Sequence, residues 1–232
     1  MAVQENEDMQ AQLLAAALPH VAFDGWSETS LRAACQDLSV TRQMAALVCP
    51  RGAIDLAIRF HHDGDEAMQV VLQQTDINAM KIREKITFSV RARLDAIRDK
   101  EAVRRGATLM ALPQHAAEGA GLVWGTCDRI WAAIGDSSAD VNWYTKRLTL
   151  SSVYSATVLY WLGDNSPNHQ DTWTFLDRRI ENVMQFEKFK AQVNANPLAK
   201  QLLAGPNWLL SKIKAPSGVP TVDLPGNWSR RS

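Results

Sequence analysis

Apolar residues recur at every third or fourth position from about residue 8 to residue 213, without any run of strictly alternating apolar and polar positions, so the pattern predicts helix after helix. Pro19, Pro50, Pro113, Pro167, Pro197 and Pro206 read as helix boundaries, where a missing backbone donor costs least. The first helices fall at 13–18, 30–38 and 41–48, joined by Phe23-Asp24-Gly25-Trp26 and by the short turn Leu38-Ser39-Val40. Further along, 121–134 and 142–162 are the most apolar helices, and apolar on most sides they must be buried by something. Leu122, Trp124, Cys127, Ile130, Trp131 and Ile134 mark the first of these; Tyr154, Val158 and Trp161 lie in the second, where Ser151, Ser152 and Ser155 leave room for close packing or a ligand. Residues 171–194 form a long amphipathic helix suited to core or dimer packing. In 197–214, Leu202, Leu203, Trp208, Leu209 and Ile213 are interleaved with Lys200, Lys212 and Lys214 and no acid, the composition of a helix that lies on a membrane surface; packing back onto the body is the alternative. Beyond Ala215, Pro216-Ser217-Gly218 and Pro225-Gly226 break regular structure and predict a flexible tail.

The chain is therefore expected to be all-α, with 1–60 as a helix-turn-helix-like arm that is not independent, 61–195 as the helical core, 196–214 as the amphipathic helix and 215–232 as the tail. The spacing of the first three helices resembles the helix-turn-helix arm of TetR repressors. Charge argues against DNA. Residues 1–60 carry four arginines against seven carboxylates, net −3, and Arg42 is the only base in the third helix, whose Met44, Ala45, Ala46, Leu47 and Val48 are suited to packing. The one strongly basic section is 81–105, nine bases against four acids, read as a solvated helix face or a surface for anionic lipid headgroups. Over the whole chain 25 bases balance 25 acids, so no global field recruits nucleic acid.

Candidate chemistry is sparse. His61-His62-Asp63-Gly64-Asp65-Glu66 gathers imidazoles and carboxylates, but adjacent side chains on a helix diverge by about 100° and cannot chelate as a pair; a helix-end turn is expected there. His20, His115 and His169 stand near prolines and read as loop or cap histidines. No phosphate loop, nucleophile elbow or paired Glu-x-x-His motif occurs, so catalysis, cofactor and metal are not expected. Cys35, Cys49 and Cys127 are odd in number and embedded in apolar pattern, as buried reduced thiols of a cytoplasmic protein would be. The first eight residues lack the features of a signal or transit peptide, and no apolar stretch is long enough to span a bilayer.

The most distinctive run is Asp140-Val141-Asn142-Trp143-Tyr144-Thr145-Lys146-Arg147, which places two aromatics on the first turn of a helix, where they read as a contact surface, with burial in the core as the equal alternative on pattern alone. Together with the turn Gly135-Asp136-Ser137-Ser138-Ala139-Asp140, with Ser166-Pro167 and with the helix opening from Asp171-Thr172-Trp173 to Ile180, it resembles the family of coenzyme Q biosynthesis protein nine, from about residue 8 to 215 and most specifically over 124–188. That resemblance implies a TetR-like homodimer, peripherally associated with the inner membrane, that binds an isoprenoid or other lipid and presents a quinone precursor to the demethoxyubiquinone hydroxylase. It places partner docking at Ile130, Trp131, Asp140, Asn142, Trp143, Tyr144 and Arg147, lipid contact at Leu122, Cys127, Tyr154, Val158 and Trp161, and membrane contact at Leu202, Leu203, Trp208, Leu209 and Ile213. A TetR-type repressor answering to a small apolar ligand is the competing reading.

Overall fold

The structure, a computed structural model, describes residues 2–195, with side chains described over 4–186; the expected membrane-contact residues Leu202, Leu203, Trp208, Leu209 and Ile213, and the tail, lie outside the described residues. The described residues form α1 (Ala2–Asp24), α2 (Glu28–Asp37), α3 (Arg42–Val48), α4 (Ala53–Gln74), α5 (Ile82–Asp95), α6 (Lys100–Met110), α7 (Ala116–Ala133), α8 (Val141–Gly163) and α9 (Gln170–Ala195), with a tight turn at Pro167–His169 before α9. Among them there is no strand. The all-α expectation holds, and several helices begin where small polar side chains cap them. Ser27 Oγ accepts from the Thr29 and Ser30 amides at the start of α2, Asp99 accepts from the Ala102 amide at α6, and Asp140 accepts from the Asn142 amide at α8. Each such cap satisfies a donor that the first turn leaves orphaned, an interaction of about 1 kcal/mol.

Two apolar clusters share the described residues. One joins α1, α2 and α4 through Leu13, Ala17, Val21, Leu31, Cys35 and Leu56. The other joins α4, α5, α7, α8 and α9 through Met68, Val90, Leu94, Ile130, Leu150, Leu176 and Ile180. α4 enters both, so the arm and the core share one continuous helix across residue 60. Trp26 fastens the arm to α6: its indole Nε1 donates to the Ala102 carbonyl at 3.0 Å, and its ring packs on Phe60 with centroids 5.6 Å apart. Cys35, Cys49 and Cys127 are free and buried, as expected.

Four local expectations are overturned. Pro19 lies inside α1 and ends nothing: Leu13, Leu14, Ala17 and Val21, on both sides of it, are buried, and that packing outweighs the lost hydrogen bond. His20 is accordingly helical, its Nε2 2.7 Å from Asp37. The His61–Glu66 run is mid-helix, within α4. In α3 only Ala45 is buried, while Met44 and Leu47 are 49% and 72% exposed.

Candidate functional site

The link between α7 and α8 is built around one buried carboxylate. Gly135, at φ +83, turns the chain out of α7 in a conformation that strains any residue with a Cβ. This brings Asp136 back under α8, where its side chain is 2% exposed and accepts from Lys146 Nζ at 2.7 Å, Ser138 Oγ at 2.8 Å and Arg147 Nη1 at 3.1 Å. Burial alone would raise its pKa; the hydrogen bonds from Lys146, Ser138 and Arg147 outweigh that and hold it at about 2. Arg147 also pairs with Asp128, donates to the Trp143 carbonyl at 3.1 Å, and lays its guanidinium 4.0 Å from the centre of the Trp143 ring.

An aromatic platform results. Trp143 and Tyr144 meet edge to face at 4.8 Å, and Trp124, reaching across from α7, lies 5.8 Å from Trp143 and 6.4 Å from Tyr144. Trp143 and Tyr144 are half-buried, whereas Asp140 and Asn142 are exposed. The remaining residues expected at a docking surface do not present themselves to it. Ile130 is fully buried, Trp131 is 8% exposed with its Nε1 donating to the Lys146 carbonyl, and Arg147 is 3% exposed. They are the foundation of the platform: Arg147, one turn on from Trp143, lies against its ring and reaches down to Asp128 and Asp136.

Beside the platform a cavity of about 680 Å³ opens between α4, α6, α7 and α8. Phe60, Val103, Met110, Val123, Leu148 and Leu159 give it an apolar wall, and Leu122, Tyr154 and Val158 line it too. The small residues Ser151, Ser152 and Ser155 are what leave the space open on the α8 side. Cys127 and Trp161 do not line it. Cys127 is fully buried in the core, where burial drives its thiol up to about 12, and Trp161 sits under Lys100, whose ammonium is 4.7 Å from the ring centre.

Sequence reasoning missed the polar group bordering this cavity. Asp65, 1% exposed, accepts from Arg93 Nε at 2.6 Å, Arg129 Nη1 at 2.8 Å and Thr126 Oγ1 at 2.9 Å, and Thr126 in turn meets His61 Nε2 at 2.9 Å. His61 and Arg93 both reach the cavity wall. Burial lowers the His61 pKa to about 4, against the opposing pull of Asp65, so the imidazole is neutral at physiological pH. The signal available in the sequence was the four-residue spacing of His61 and Asp65; Arg93 and Thr126 join only through the fold. It also removes Arg93 from the expected solvated face of 81–105, most of whose other arginines are exposed. Among the described residues no group of three or more His, Cys, Asp or Glu side chains is placed to hold a metal, and no helix is long and apolar enough to cross a membrane.

Residues 116–187, spanning the platform and most of α7 to α9, match the COQ9 family model. Similar curated proteins are the mitochondrial ubiquinone biosynthesis protein COQ9 of Rattus norvegicus, 29% identical over 83% of this chain and 64% of that protein; of Drosophila melanogaster, 30% identical over 79% and 58%; and of Homo sapiens, 27% identical over 83% and 63%. The chain thus spans about three fifths of the length of these relatives. Among solved structures, a TetR transcriptional regulator from Nitrosomonas europaea superposes with a TM-score of 0.63 at 19% identity, covering 75% of this chain and 97% of that one; the likeness shows a TetR-like fold.

Proposed function

Because this chain is a relative of the COQ9 proteins over most of its length, we propose that it is a non-catalytic accessory protein of ubiquinone biosynthesis, which holds a quinone precursor by its lipid tail and presents it to the demethoxyubiquinone hydroxylase at a membrane surface. The observation that carries this reading is the apolar cavity with exposed apolar side chains at its edge, Leu148 at 62% and Leu159 at 66% exposure. Apolar walls with a few polar groups are what a lipid site requires. A polyprenyl tail is insoluble in water, so shielding it raises the concentration at which the ring reaches an enzyme. His61, the best acid-base candidate, has its Nε2 taken up by Thr126, which is itself tied to Asp65, an arrangement that favours binding over turnover. Those relatives are mitochondrial proteins of ubiquinone biosynthesis; for this chain the corresponding place is the inner membrane, met peripherally through residues 202, 203, 208, 209 and 213.

The docking face we assign comprises Asp140, Asn142, Trp143 and Tyr144, held from below by Ile130, Trp131 and Arg147. A second copy is assigned to the outer side of α8 and α9, where Tyr160 and Phe175 stack at 4.5 Å and Phe186 is 63% exposed; light scattering at micromolar protein should report a dimer. Native mass spectrometry of protein gently extracted from cells tests the carrier itself. An isoprenoid lipid should co-purify, and Ser155→Trp, which fills the α8 side of the cavity, should abolish it while the helical content stays intact. A polar effector in its place, or equal lipid retention by the filled variant, overturns the reading.

A further inference from the structure

Trp124 belongs to two features at once. On one side its ring lies 5.8 Å from Trp143 and 6.4 Å from Tyr144, completing the aromatic platform; on the other it is part of the cavity wall, next to Leu122 and Val123. The two features also meet along α8, since Leu148 follows Tyr144 by one turn and lines the cavity with its side chain 62% exposed. Residues four apart on a helix are surface neighbours, so the platform and the edge of the cavity form one uninterrupted apolar strip across α7 and α8.

We infer that Trp124 is a positioning residue through which occupancy of the cavity and the geometry of the docking platform are coupled. The inference rests on the carrier reading above. A guest against the inner side of Trp124 restricts a ring whose outer side supports Trp143 and Tyr144; Trp143 is held besides by Tyr144, edge to face at 4.8 Å, and by the Arg147 guanidinium, itself fixed by Asp128 and Asp136. Of these three supports, Trp124 is the one that lines the cavity. Linkage makes the effect reciprocal: a partner that holds Trp143 and Tyr144 changes the affinity of the cavity for its guest by the same factor as the guest changes that of the partner, on the scale of about fivefold or more where coupling is functional. A loaded carrier is thereby distinguished from an empty one at the docking surface itself.

The test uses the full chain labelled with 5-fluorotryptophan, titrated with farnesol and followed by fluorine NMR. Trp26 also lines the cavity, away from the platform, and reports occupancy independently. In the wild type, the Trp26, Trp124 and Trp143 resonances should all move along one binding curve. In Trp124→Phe, Trp26 should still move while Trp143 no longer does. Should that variant fail to fold, the wild type alone decides: its farnesol affinity, measured with and without saturating hydroxylase, must differ about fivefold or more, and equal affinities overturn the inference. Binding with Trp143 unmoved in the wild type, or a Trp143 response that survives Trp124→Phe, overturns the inference and leaves the carrier reading standing. No response from Trp26 and Trp124 at saturating farnesol overturns both.

Discussion

At Gly64 a single missing methyl group decides whether the buried ion network can form. A Cβ there would stand 2.4 Å from Arg93 Nη1 and 2.6 Å from its guanidinium carbon, so Gly64→Ala must push aside a side chain that is 3% exposed and paired with Asp65. Alanine gains about 1 kcal/mol of helix propensity, whereas stripping a buried charge of its partner costs about 3 to 5 kcal/mol. The second effect wins, and denaturant unfolding should show a net loss of about 2 kcal/mol or more; an unchanged midpoint would falsify the close approach. His61 adds a pH dependence of known sign. Its pKa falls from 6.5 in the unfolded chain to about 4 in the fold, so above pH 6.5 both states are neutral and nothing is lost. As the pH drops from 6.5 toward 4 the unfolded state takes up the proton first and stability falls, by about 2 kcal/mol at pH 4.5. Urea titrations at pH 7.5 and 4.5 should show this extra loss in the wild type and its absence in His61→Gln. Neither residue announced its role in the sequence: the run that contains them shows the charges but not that Arg93 and Thr126, 28 and 61 positions from Asp65, close around them.

Among the elements, the start of α8 separates what a sequence shows from what only packing settles. Asp140 as the cap and the aromatics on the first turn were legible, because both depend on residue type at a fixed offset from the helix end. That Arg147 turns inward was not, since the two carboxylates it meets sit on α7 and in the preceding turn. The consequence is a split between neighbours. Arg147→Ala leaves Asp136 buried without one of its cations and should cost about 3 to 5 kcal/mol of stability. Trp143→Ala, half-buried at the surface, should instead weaken hydroxylase binding by about 2 kcal/mol or more with a smaller stability loss. Calorimetry for unfolding and titration against the hydroxylase on the same two proteins distinguish them, and matching profiles for both variants would contradict the placement of Trp143 on the face and Arg147 beneath it. α1 carries the opposite kind of surprise. Pro19 is exposed within the helix, so Pro19→Ala removes no packing, restores a backbone donor, and should raise the melting temperature through a gain of about 1 to 3 kcal/mol.

For the molecule as a whole, fold and charge point in different directions. The superposition on a TetR regulator shows a TetR-like fold with α1, α2 and α3 as its arm, and the helical order was legible because the 3.6-residue period runs through the chain. A DNA surface further needs free cations, commonly about 6 to 10 phosphate contacts. The arm has four arginines in its first 60 residues, and three of them are committed to carboxylates: Arg42 to Glu28, Arg51 to Asp55 and Glu118, Arg59 to Asp63. The helix that would enter the major groove offers Met44 and Leu47 to solvent where a reader would offer polar side chains to base edges and phosphates. An exposed apolar pair beside a net charge of −3 gains nothing from a polyanion, so the expected outcome is no sequence-specific complex in a gel-shift or anisotropy titration at physiological salt. A shifted species that survives competitor DNA, or an affinity falling steeply with salt, would return the repressor reading to first place, since a steep salt slope arises only from phosphate neutralisation that this charge pattern should not permit.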